Sequence, residues 1–139
     1  MLNMTKLFAI GKFAARQARA EAPTAKANDV IDMVPLLKSW QEGSYAVGDV
    51  VVYEGIPYKC AQEHTSLGNP SWNPKDAASL WARYHATDAK HALPYFQPTG
   101  AHDAYMLGEY AIFNGTVYRC VMDGTVHDPA TLTTSWEAV

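Results

Sequence analysis

Short apolar runs broken by residue pairs ending in glycine set the pattern of this chain. Residues 49–60 read DVVVYEGIPYKC, two β-branched and aromatic runs around Glu54-Gly55. Residues 109–120 read EYAIFNGTVYRC, the same pattern around Asn114-Gly115. Asn-Gly is the preferred pair for a two-residue type I′ turn, where both positions need positive φ, and Glu-Gly is its weaker equivalent. Two hairpins are therefore predicted. Directly opposed residues of such a hairpin share one face. In the first hairpin one face takes Tyr53 with Ile56, Val51 with Tyr58 and Asp49 with Cys60. The other takes Val52 with Pro57 and Val50 with Lys59. In the second hairpin Phe113, Ala111, Tyr118 and Cys120 share the first face, and Tyr110, Ile112, Val117 and Arg119 the other. The face with aromatics and cysteine is the predicted core. The face with Lys59 and Arg119 is predicted to be wetter.

The hairpins belong to a longer repeat. Residues 45–60 and 105–120 align at an offset of 60 without a gap, with Tyr, Gly, Gly, Tyr and Cys identical. Each unit closes on a tryptophan, Trp81 in AASLWARY and Trp136 in TTSWEAV. The second is five residues shorter between its Cys and its Trp, because the first carries the loop SLGNPSWNP with Trp72. Ahead of the repeat, Leu7, Ile10, Ala14 and Ala18 recur at helical spacing over residues 5–21. A second short helix is predicted over 25–34, with Val30, Val34 and Leu37 on one side, ended or kinked by Pro35. Pro94, Pro98 and Gly100 make residues 86–104 an ordered linker. The expected fold class is mainly β: two small tandem antiparallel β modules preceded by a short α-helical N-terminal arm. The arm spans 1–38, the modules 39–85 and 105–139. Trp40 is expected to pack where the helix meets the first module. Modules this small rarely hold a sufficient core alone. They are expected to pack on each other, on the helix or on neighbouring chains, so a homo-oligomer is predicted.

Composition and charge then narrow the function. The 8 tyrosines and 4 tryptophans either fill small β cores or build a contact surface. A net charge of −3 argues against nucleic-acid binding by the whole chain. The first 20 residues hold Lys6, Lys12, Arg16 and Arg19, and all 14 acids follow them. This basic arm is either a solvated helix face or a dock for an acidic partner surface. No apolar run reaches the roughly 18 residues of a membrane span, and the run Leu7 to Ile10 is short for a cleaved signal. Cys60 and Cys120 hold the same place in two repeats, so duplication explains their number better than pairing. On the core face they are expected to be inert buried thiols. His64, His85, His91, His102 and His127 show no metal-ligand spacing, so no metal or cofactor is expected. No nucleophile–histidine or paired-carboxylate constellation is visible, and a non-enzymatic protein is expected.

Trp40, Tyr45, Gly48, Asp49, Val51, Tyr53, Gly55, Tyr58, Lys59, Cys60 and the closing Trp81 form a pattern that resembles the chitin-binding modules of carbohydrate-binding families 5 and 12. Tyr105, Gly108, Glu109, Phe113, Gly115, Tyr118 and Trp136 carry it in the second unit. Members typically place adjacent tryptophans just after the second strand. Gln62-Glu63 and Met122-Asp123 stand there in this chain, so the stacking platform is absent from its usual place, and the resemblance implies the scaffold more than chitin as a ligand. The stretches YKCAQEHTS, LPYFQPTGAHDAY and NGTVYRC also resemble modules of bacteriophage tail, fibre and head-associated proteins. That resemblance implies a virion component. Its N-terminal arm would bind other virion proteins, and its modules would face a bacterial surface polysaccharide. The alternative is a purely structural decoration or cementing protein of the virion. A third reading, a secreted bacterial chitin-binding protein, is disfavoured by the start of the chain.

Sugar stacking needs an exposed aromatic face with polar neighbours. Trp72, in its Gly-Asn-Pro-rich loop, is the first candidate, as a platform or as a loop anchor. Tyr45 and Tyr105 match a position often exposed in the family, and each is a binding or a packing residue. Trp81 and Trp136 are expected to close the cores, and His64-Thr65 to fix the loop after the second strand.

Overall fold

Glu54 and Asn114 adopt φ of 51° and 50°, and Gly55 and Gly115 both adopt 79°, so both pairs reverse the chain in the left-handed region. The computed structural model describes residues 14–139. Residues 14–21 are helical (α1) and Ala27–Met33 form α2. The strands are β1 (Ser44–Tyr45), β2 (Val50–Tyr53), β3 (Ile56–Cys60), β4 (His64–Thr65), β5 (Trp81–Arg83), β6 (Leu93–Pro94), β7 (Tyr110–Phe113), β8 (Thr116–Cys120) and β9 (Trp136–Ala138). The protein is mainly β, with its α-helices at the N-terminal side.

β2 and β3 pair with Val51 opposite Tyr58 and Tyr53 opposite Ile56. β7 and β8 pair with Ala111 opposite Tyr118 and Phe113 opposite Thr116. Each hairpin takes a third antiparallel strand in one register, Cys60 opposite Trp81 and Cys120 opposite Trp136. The alternation places the cores on the expected face. Val51, Tyr58, Cys60 and Trp81 form one; Tyr105, Ala111, Cys120 and Trp136 form the other. Burying a side chain of this size contributes roughly 1.5–3 kcal/mol. Gly48 and Gly108, at φ 95° and 89°, donate their N–H groups to the carbonyls of Cys60 and Cys120 and so close the base of each hairpin.

The face carrying Lys59 is not wet. Ala22, Val30, Leu37 and Tyr84 form a further core there, packed against Val50 and Val52. Lys59 Nζ donates to Pro23 O at 3.1 Å and stands 5.7 Å from the Tyr84 ring centroid. A lysine stem buries readily once its ammonium finds an acceptor, so a lysine in the pattern did not mark a solvent face. α2 ends at Met33 and Pro35 lies in the single 3-10 turn that follows. Ala18 is buried, whereas Leu7, Ile10, Lys6 and Lys12 lie outside the described residues.

Residues 86–104 are more than a linker. β6 runs parallel to β7, with Pro94 opposite Ile112, and Tyr95 N–H donates to Ile112 O at 2.7 Å. In the first unit Ser39 bridges Val52 in parallel, and Trp40 N–H donates to Val52 O at 2.8 Å. Trp40 stands edge-on to Tyr53 at 5.9 Å, and Tyr95 stands edge-on to Phe113 at 5.7 Å. Tyr95 therefore leads into the second unit as Trp40 leads into the first. A segment five residues longer between Tyr95 and Tyr105 hides the match from a gap-free comparison.

Candidate functional site

β4 returns beside β1, with Tyr45 opposite His64 and Ser44 opposite Thr65. The Tyr45 ring stands edge-on to buried Trp81 at 5.0 Å and lies 5.8 Å from His64. His64 stands edge-on to Trp81 at 5.4 Å and lies 6.5 Å from Trp72. Tyr45, His64 and Trp72 thus follow one another in a strip whose inner support is Trp81. The Tyr45 hydroxyl donates to Gln41 O at 2.7 Å. His64 Nδ1 lies 2.7 Å from Gln62 O, so Nδ1 carries the proton and the ring orientation is fixed.

Trp72 is 40% exposed, while the other three tryptophans are buried or half-buried. Neighbouring side chains hold its loop. Buried Asn73 accepts the N–H groups of Lys75 and Asp76 through Oδ1 at 3.0 and 2.9 Å, and donates Nδ2 to Asp76 at 2.9 Å. Buried Ser66 donates to Gly43 O at 3.1 Å and accepts Gly43 N–H at 3.0 Å. An open depression of about 450 Å³ adjoins the strip and includes Ser44, Tyr45, Asp49, Glu63, His64 and Thr65 in its lining. Stiff aromatic rings beside hydroxyl and carboxylate groups can take the C–H face of a sugar and its hydroxyls.

The second unit keeps the scaffold and changes this surface. Asp128, followed by Pro129 as Asn73 is by Pro74, accepts the N–H groups of Ala130 and Thr131 at 2.9 and 2.8 Å. Asn73 and Asp128 stand at the same distance from their closing tryptophans, which sets Trp72 against His127. Gly124 stands where the first unit has His64. Tyr105 is 2% exposed, stacked on His85 at 3.8 Å and on Tyr95 at 5.4 Å. Burial pushes its phenol up to about 12. Of the three aromatic candidates, Tyr45 and Trp72 come together, and Tyr105 is enclosed as a packing residue. His64 joins the strip as a ring the sequence had marked only as a loop anchor. Its signal was its place after β3, but the pairing with Tyr45 is long-range. Cys60 and Cys120 are free and buried. Burial raises the Cys60 thiol, which donates to Gln62 O at 3.1 Å.

Residues 39–82 match carbohydrate-binding module family 5/12. The module holds the whole strip of Tyr45, His64 and Trp72. This chain is 42% identical over 48 residues to chitinase A1 of Niallia circulans, a stretch that is 34% of this chain and 7% of that protein. It is also similar to the crystal structure of a family GH18 chitinase from Chromobacterium violaceum, at 31% identity and a TM-score of 0.33, over 44% of this chain and 16% of that one. The chain spans a small fraction of the length of these relatives.

Proposed function

We propose that the module at residues 39–82 binds a polysaccharide on the strip Tyr45–His64–Trp72, and that the chain is a binding protein rather than an enzyme. The exposed Trp72 indole carries this reading. It sits on a loop stiffened by Asn73 and Ser66 and neighbours His64, which with Tyr45 lines a depression that carries hydroxyls and carboxylates. The likeness to chitinase A1 supports chitin as the first ligand to test, despite Gln62-Glu63 after β3. The sequence resemblance to bacteriophage modules supports a bacterial surface polysaccharide instead, with the N-terminal arm held by other virion proteins.

Retention of the wild-type chain and Trp72→Ala on insoluble chitin and on purified bacterial cell walls tests the reading. Saturable retention on either, lost in Trp72→Ala, is expected. Retention on neither would sink it. The virion placement is tested separately, by finding the chain in purified particles by mass spectrometry.

A purely structural role is favoured for one part of the chain. Tyr105 is enclosed and His127 stands in place of Trp72, which supports residues 105–139 as a buttress for the first unit.

A further inference from the structure

We infer that the junction between the two units holds a second ligand site, one that takes a carboxylated sugar. It does not rest on the Trp72 strip. As the chain leads into the second unit, Pro94 and Phe96 come against the open end of the first unit's core face. A groove of about 260 Å³ forms there, with Tyr53 and Tyr58 from the hairpin, Glu54 from its turn, Lys75 from the Trp72 loop, Arg83 from β5, and Phe96.

Arg83 is the centre of the site. Its guanidinium lies 5.2 Å from the Phe96 ring centroid, and Nη2 donates to Pro94 O at 2.6 Å. Its Nε is buried without an acceptor among the described residues. Leaving such an N–H unpaired is costly, and the group is held from two sides. A guanidinium held in this way keeps its charge fixed at the groove, ready to meet a carboxylate with the donor edge that Pro94 leaves free. Lys75 meets Glu54 at 3.5 Å, but these side chains are 54% and 60% exposed, so the pair exchanges easily for a ligand. Two cations against one acid leave a positive excess in the groove, on a body that is acidic overall. Tyr53 and Phe96 supply rings for the apolar face of a pyranose. The depression beside the Trp72 strip, lined by Asp49 and Glu63, has the opposite sign. The two sites therefore select different sugars.

Chemical-shift mapping on the full chain tests this, with a galacturonic acid trimer and, in parallel, an uncharged N-acetylglucosamine trimer. The acidic trimer is expected to move the Arg83 Nε–H and Phe96 ring signals, and added salt to weaken it. Arg83→Gln is expected to lower its affinity by roughly tenfold or more, as for loss of a charged hydrogen bond. Lys75→Ala, at an exposed position that leaves the fold intact, is expected to lower it by roughly threefold. Trp72→Ala leaves the acidic trimer's binding unchanged. Still signals at Arg83 and Phe96, equal movement by the uncharged trimer, or an affinity indifferent to Lys75→Ala would overturn the inference. Failure of the Trp72 strip to bind chitin leaves this test untouched.

Discussion

His85 lies flat on Tyr105, with ring centroids 3.8 Å apart and planes 7° from parallel. Its Nδ1 is 3.0 Å from Glu109 Oε1. His85 follows the last strand of the first unit, and Tyr105 and Glu109 belong to the second, so these side chains form a seam. Tyr45, at the matching position, meets His64 at a tilt of 35°. Tyr105→Ala is therefore expected to cost about 3–5 kcal/mol, as for other enclosed aromatics. His85→Ala is expected to cost about 1–2 kcal/mol through the lost stack and hydrogen bond. Tyr45→Ala should cost less than half as much as Tyr105→Ala. Urea unfolding of the three variants checks the order, and equal losses at Tyr45 and Tyr105 would contradict it.

Trp72 and Trp81 differ in the same way within one unit. Trp81 is 1% exposed and supports both Tyr45 and His64. Trp81→Ala is expected to lose about 3–5 kcal/mol. Trp72→Ala should lose less than about 1 kcal/mol, because Asn73 and Ser66 hold its loop. Thermal unfolding separates a platform from an anchor: a large loss at Trp72 would make it an anchor.

Much of this was legible from local chemistry. Asn114-Gly115 and Glu54-Gly55 fixed the turns, and alternation from Val51 to Cys60 fixed the core face, because both act over neighbouring residues. The seam was not legible. His85 and Tyr105 are far apart along the chain, and no periodicity links them. The parallel pairings that lead into Trp40 and Tyr95 span one and two residues, too short to leave a pattern. Lys59 looked wet because its ammonium's acceptor, Pro23 O, comes from a distant segment. The strip was half legible: Trp72 stood out by its loop, whereas His64 needed β1 beside β4.

His91 ties α2 to the segment between the units. Its Nδ1 lies 2.7 Å from Asp88 Oδ1 and its Nε2 3.0 Å from Asp32 Oδ1. Hydrogen bonds to Asp88 and then Asp32 raise His91 above its ordinary 6.5, and the same bond lowers Asp88 below 3.8. The His91 contribution is full below 6.5 and is lost as pH rises through the raised value. The Asp88 contribution is full above 3.8 and is lost as pH falls through the lowered value. The tie is firmest from roughly pH 4 to 6.5. Amide exchange over residues 27–33, corrected for the intrinsic rate, is expected to be slower at mildly acidic pH than at pH ~8. His91→Ala should remove the difference. A wild-type profile without it would rule out the tie.

The first hairpin turn can be improved. Glu54 holds φ 51° with a side chain poorly suited to it, whereas Asn114 holds φ 50° with one of the preferred residues. Glu54→Asn is expected to stabilise the protein by about 0.5–1 kcal/mol. The exposed pair with Lys75 that it removes contributes little. Chemical denaturation reads the gain; a loss would mean that the Glu54–Lys75 pair outweighs the turn.

The connection between the units has a further consequence. Ala86 bridges Tyr110, Arg83 holds Pro94 and His85 covers Tyr105, so the units meet through packed and bonded surfaces. A chain with two repeats invites the expectation of two like grips joined by a tether. With Tyr105 enclosed and His127 opposite Trp72, the described residues offer one Trp72-type platform, so under the proposed function the two units grip that ligand once. In that reading the two units give no gain in effective concentration between them, and avidity for that ligand would come from several copies displayed together. In the same reading the second unit serves to hold the first, through the stack of His85 on Tyr105.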